Sequence, residues 1–176
     1  MAFLWGLVTN VGRIVFLRGS PERIYYTRRL FIVSLLLAVS ASAAVQLLLF
    51  DDGLVFTLLR VFAELTMFML MMVILTAKIA RFRLARMMLV LVLISLLADM
   101  LLAGVGTGVS YRSAAAQVVD AIAYGVSAVA LYGAANVLAW GLQRPLLWGA
   151  GGMLLYVAAA SGLDAAFRGL YQIMAA

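Results

Sequence analysis

The chain contains neither cysteine nor histidine. Disulfides, thiolate nucleophiles, imidazole bases and metal sites built on either residue are excluded at once. Charge is also scarce, at 11% of the 176 residues, where a soluble domain carries about 25%. Lysine occurs once, as Lys78, and proline only as Pro21 and Pro145, so no apolar run is broken mid-way. What remains is apolar: 67% of residues are hydrophobic and the mean hydropathy is +1.15. A domain of this size leaves much of its surface exposed, and there is too little polar material to cover it. The composition is that of an all-α integral membrane protein.

Five apolar segments are long enough to cross a bilayer: roughly Leu30–Phe50, Leu54–Ala77, Met87–Ala103, Ala114–Trp140 and Leu146–Phe167. The third is at the short end, and the fourth is long enough to tilt or to begin outside the hydrocarbon. "GVGTG", from Gly104, lacks the Lys-Ser or Lys-Thr of a phosphate loop and the strand and third glycine of a dinucleotide fingerprint. It reads as a flexible turn after the third span.

The basic residues set the orientation. Arg13, Arg18, Arg23, Arg28 and Arg29 precede the first span, and Lys78, Arg81, Arg83 and Arg86 occupy the loop before the third; "DDG", between the first two, has no base. The positive-inside rule places the N-terminus and the second loop in the cytoplasm and, after five crossings, the C-terminus outside. Trp5, Trp140, Trp148, Tyr25 and Tyr26 then share the cytoplasmic interface, where aromatic belts form. The basic residues make a collar suited to anionic lipid head groups, although a topology signal alone explains them equally well. Their place beside apolar spans argues against nucleic acid as a partner.

Residues 1–29 form a separate cytoplasmic arm, and 30–176 the bundle. Phe3, Leu4, Leu7, Val8, Val11, Ile14 and Val15 recur at helical spacing, opposite Thr9, Asn10, Arg13 and Arg18. The pattern predicts an interfacial amphipathic helix on the cytoplasmic leaflet. No basic stretch precedes these apolar residues and no A-x-A site follows, as a signal peptide would require. Ser20 and Pro21 suit the cap and first position of a new helix running into the first span.

Arg60 and Glu64 lie inside the second span, and Asp99, Asp120 and Asp164 inside the third, fourth and fifth. By the helical rise, all five are within about 15 Å of the outer ends of their spans, while the cytoplasmic half has no ionisable group in a span interior. A charge at such depth costs about 2.5–3.5 kcal/mol on insertion scales, so these groups face one another, water or a partner's charge. Arg60 and Glu64, one turn apart, are expected to pair within their helix. The alternative is a polar cavity in which Glu64 binds a proton or cation.

The last two spans are rich in small residues at four-residue spacing: Ala121 with Gly125, Ala130 with Ala134, Ala158 with Gly162, and Gly162 with Ala166. Such spacing lets helices approach closely, so these spans pack on each other or on a partner. Asn136 fits an interhelical hydrogen bond better than a ligand. Met67, Met69, Met71, Met72, Met87 and Met88 are either an adaptable binding surface or ordinary apolar residues.

Catalysis is not expected, and no cofactor or metal is implied. A serine nucleophile has no histidine to activate it, and Lys78 lies in a loop. Asp99 and Asp120 share depth but lack a "GxGD" setting. Around Phe16–Ser34 ("FLRGSPERIYYTRRL" and onward) the chain resembles Yip1-like small bacterial multi-pass inner-membrane proteins, with a short interfacial region, a Pro-containing basic stretch and about five spans. The resemblance implies a membrane-organising or adaptor role in the inner membrane. The expected function is a non-catalytic accessory or scaffold subunit, with membrane lipids and another membrane protein, or a second copy, as partners. A small transporter or an ion- or proton-coupled channel is the alternative. No inverted repeat or broken span supports it, but the outer polar cluster does.

Overall fold

The computed structural model describes residues 2–16, 19–49, 53–77, 79–107 and 116–175. Six α-helices follow one another: α1 (Ala2–Val15), α2 (Arg28–Leu49), α3 (Gly53–Thr76), α4 (Arg81–Thr107), α5 (Ala116–Leu142) and α6 (Leu146–Ala175). Among the described residues there is no strand. Each of α2 to α6 contains a stretch long and apolar enough to cross a membrane: Arg28–Leu47, Leu54–Leu75, Arg81–Gly104, Asp120–Leu142 and Leu146–Met174.

The five long helices close into a ring. α2 packs on α4, α4 on α5, α5 on α6, α6 on α3, and α3 back on α2. Helices α3 and α4 are joined by a short connection yet touch only weakly, because α2 and the ring interior separate them. Alternation of direction brings the starts of α2, α4 and α6 to one end with the finishes of α3 and α5. This end carries Arg23, Arg28, Arg29, Arg81, Arg83, Arg86 and Arg144, and we call it the basic end. Lys78 and Arg18 lie outside the described residues.

Several sequence expectations are corrected here. Arg81, Arg83 and Arg86 are not in a loop; they occupy the first two turns of α4. The apolar part alone is at the short end for a span, and α4 is longer because it takes in these arginines. At its other end α4 continues through Gly104 to Thr107, so those residues are helical and not a turn, while Gly108 lies outside the described residues. Ala114 also lies outside them. The helix expected from Ser20 is only a 3₁₀ turn, Pro21–Arg23, with Ser20 accepting from the Glu22 backbone N–H at 3.3 Å. Ile24 then turns extended and buries its side chain, and Thr27 Oγ1 starts α2 by accepting from the Leu30 N–H at 3.1 Å. A second good cap three residues before Leu30 ends the first helix early.

Between α5 and α6 the chain turns in a Schellman arrangement, with Arg144 N–H donating to Ala139 carbonyl at 3.0 Å and Gln143 N–H to Trp140 carbonyl at 3.1 Å. Gln143 takes the left-handed conformation this turn requires (φ 54°), and Pro145 stops any continuation. The tight turn makes α5 and α6 antiparallel neighbours. Their closest approach is at Gly149, where a Cβ would collide with the Ala135 carbonyl, and at Gly152, where it would lie 2.7 Å from Leu138.

Helix α1 docks in the groove between α4 and α5, toward the basic end. Val11, Ile14 and Val15 of its apolar stripe are buried in a cluster with Met87, Met88, Leu89, Val90, Val137 and Leu138. Val15 lies over Gly133, where a Cβ would come within 2.8 Å of it. Asn136 Nδ2 donates to the Ile14 carbonyl at 2.9 Å, satisfying one of the carbonyls a helix leaves open at its C-terminus. The stripe read as lipid-facing is thus turned onto protein at these positions. Val8 remains exposed, Leu7 is partly buried, and the side chains of Phe3 and Leu4 lie outside the described set.

Candidate functional site

The ring surrounds a cavity of about 630 Å³ lined by all five long helices. Its polar lining includes Ser42 from α2, Arg60 and Glu64 from α3, Ser95 and Asp99 from α4, Ser127 from α5, and Tyr156, Ser161 and Asp164 from α6. Four of the five ionisable residues singled out from the sequence therefore converge on one space. The fifth, Asp120, does not line it. It precedes Ser127 by seven residues, two helical turns, so it lies on the same side of α5 but about 10 Å further toward the acidic end, where it is exposed.

Arg60 and Glu64 were expected to pair within α3, but each bonds to a neighbouring helix of the ring instead. Arg60 Nε lies 3.6 Å from Asp164 Oδ2 on α6. Glu64 accepts from Ser42 Oγ at 3.2 Å and from Gln46 Nε2 at 3.1 Å, both on α2. Asp164 is also met on its own helix by Arg168 Nε, at 3.4 and 3.2 Å from its two oxygens. Arg168 lies over the Phe56 ring, 5.5 Å from its centroid, and Phe56 packs edge-on against Tyr171 at 5.0 Å. These contacts join α3 to α6, and the Glu64 bonds join α3 to α2. The charged residues thus fix the two flanks of α3.

Asp99 is different. Ser95, one turn earlier, hydrogen-bonds its carboxyl, but its Oδ2 is buried and has no hydrogen-bond partner. Gln46 Oε1 is in the same condition. Buried polar atoms without partners are rare and costly in folded proteins. Asp99 lines the cavity, but that oxygen itself has essentially no exposed surface.

The cavity has two ends. Going from Arg60 to Met71 on α3 and from Asp164 to Met153 on α6, eleven residues on each helix, it is roughly 17 Å long. Among the described residues, every Arg, Asp and Glu of the lining lies in the half nearer the acidic end. The half nearer the basic end is walled by Leu35, Phe68, Met71, Leu91, Ala134 and Met153. Several of these belong to the core cluster into which α1 is packed.

Sequence reasoning missed Ser42 and Gln46, the donors to Glu64, as well as Tyr156; it put Arg168 on the same side as Arg60 as a flanking base, without its partner Asp164. A signal existed: α2, α4, α5 and α6 each place one serine of an apolar run on the cavity wall. Of the methionines, Met87 and Met88 are core, Met71 lines the cavity and Met69 is exposed. Of the small-residue set, Ala134 is buried and Ala130 is packed on the core, but Ala121, Gly125, Ala158, Gly162 and Ala166 are exposed. Helices α5 and α6 do pack closely, through Gly149 and Gly152 instead. The exposed arginines of the collar, Arg13, Arg23, Arg28, Arg29 and Arg81, and the half-buried Arg83 and Arg86 do not reach the cavity.

Comparison of the sequence with protein-family models and with curated proteins, and of the fold with solved structures, gives no significant match.

Proposed function

We propose that the protein is a small multi-pass membrane protein that binds and moves a cation or proton through its central cavity. The observation that carries this reading is the convergence of Arg60, Glu64, Asp99 and Asp164 on a space large enough for a ligand. Charges that served only to hold helices together would not need a void beside them, and their burial in lipid is expensive. The topology proposed with it has the basic end in the cytoplasm and the acidic end outside, in a bacterial inner membrane. The collar on anionic lipid supports that orientation.

Reconstitution in liposomes tests it, with proton, sodium, potassium and methylammonium flux measured against empty vesicles. Flux of at least one of these is expected, reduced tenfold or more by Glu64→Gln in protein that still elutes as a single folded species. Wild-type flux no greater than empty vesicles, or equal flux in the Glu64→Gln protein, removes the proposal.

A second reading, the accessory or scaffold subunit, rests on a separate observation. A Cβ added at Gly125 or at Gly162 would meet nothing within 4 Å. With Ala121, Ala158 and Ala166 exposed on the same helices, a smooth surface remains on which another membrane protein or a second copy can seat. The Yip1-like architecture supports the same role. Crosslinking in native membranes followed by purification in mild detergent tests it; recovery of a monomer alone counts against it.

A further inference from the structure

Resting on the cavity reading above, we infer that the occupant is an amphipathic organic monocation, an amine carried on an apolar body, with its head at Glu64 and Asp99. Charge selects the head. Two guanidiniums, Arg60 and Arg168, lie near the acidic groups Glu64, Asp99 and Asp164. Asp164 is the carboxylate both guanidiniums touch. Glu64 is bonded by the neutral donors Ser42 and Gln46, and Asp99 keeps a buried oxygen without a donor. An ammonium group has donors to give and no acceptors, so it suits a lining whose acidic groups Glu64 and Asp99 have no guanidinium bound among the described residues.

A bare metal ion fits poorly. Hard cations take six or more oxygen ligands at close range, and among the described residues no group of three acidic side chains is placed to hold one. The cavity is also about twenty times the volume that a water occupies in the liquid. Shape and polarity select the body. Below the carboxylates the walls are Leu35, Phe68, Met71, Leu91 and Met153, an apolar chamber that a small hydrated ion would leave unsolvated. Phe68 and Tyr156 add aromatic rings to the wall, and aromatic walls suit an organic cation. A ligand with charge at one end and hydrocarbon along the rest satisfies both halves together.

The test is calorimetric binding to the full chain in lipid nanodiscs, with protein-free discs subtracted. The probes are decylammonium, decanol, decanoate and methylammonium. Decylammonium should bind saturably, one per chain, and at least tenfold more tightly than the other three. Asp99→Asn should weaken it tenfold or more, and Asp99→Glu should retain it. Leu35→Trp, which fills the apolar half, should abolish decylammonium binding. Decylammonium binding no tighter than decanol, or unaltered in Asp99→Asn, overturns the inference. If Glu64-dependent flux survives that result, only the ligand class is wrong; if flux is absent too, the cavity reading falls with it.

Discussion

Asp164 is met by two guanidiniums, and that arrangement ties α3 to α6. Arg60→Leu leaves Asp164 paired with Arg168 but removes the tie between α3 and α6, so it should destabilise by about 1–3 kcal/mol, seen in denaturant titrations of the detergent-solubilised protein. Arg60→Lys should cost less, because the charge stays and only the fork is lost. Asn136 gives a second residue-scale prediction. Asn136→Leu leaves the Ile14 carbonyl without its donor, and about 1–3 kcal/mol of stability should disappear with it. Hydrogen exchange at α1 should rise in that variant more than in α4. The sequence singled out both residues, because a polar group in an apolar span has few reasons to be there. It did not identify their partners. Pairing depends on helix rotation, and in spans apolar on every side no periodic pattern records which face turns inward.

At the scale of elements, the same limit explains the small residues. Four-residue spacing correctly pointed to α5 and α6 as close neighbours, but it occurs on several faces of each helix. Contact falls at Gly149 against Ala135 and at Gly152 against Leu138, while Gly125 and Gly162 look outward. Gly149→Ala should force the two helices apart and cost about 1–3 kcal/mol or more, as overpacking does. Gly162→Ala should leave the folded monomer unchanged and reduce self-association or partner recovery if that outer surface is an interface. Size-exclusion with light scattering, beside denaturant titration, separates the two effects. Element ends were the least legible. The start of α4 and the break after Arg23 depend on competing caps and on how far arginines can extend, neither of which a hydropathy window registers.

Considered whole, the molecule is a ring of five helices whose charges are confined to one half of its interior. Span number and the grouping of acids at one depth could be read from the chain, because membrane thickness fixes helix length and rise fixes depth. The cavity could not, since it arises from ring closure. Absence of cysteine makes orientation simple to check. Gln143→Cys, at the basic end, should resist an impermeant thiol reagent added outside intact cells, and Val118→Cys, near the acidic end, should react. The reverse pattern would invert the proposed topology.

The central claim is that the interior of the ring admits cations. A single cysteine at Ser161, on the cavity wall beside Asp164, reports on it without knowledge of the natural occupant. Its reaction rates with a cationic and an anionic methanethiosulfonate are to be compared with the same pair of rates at Gln143→Cys. The account predicts a cation-to-anion rate ratio at least tenfold higher inside the ring than at the exposed turn. An equal ratio at the two positions, or no reaction at Ser161→Cys with either reagent, would contradict it.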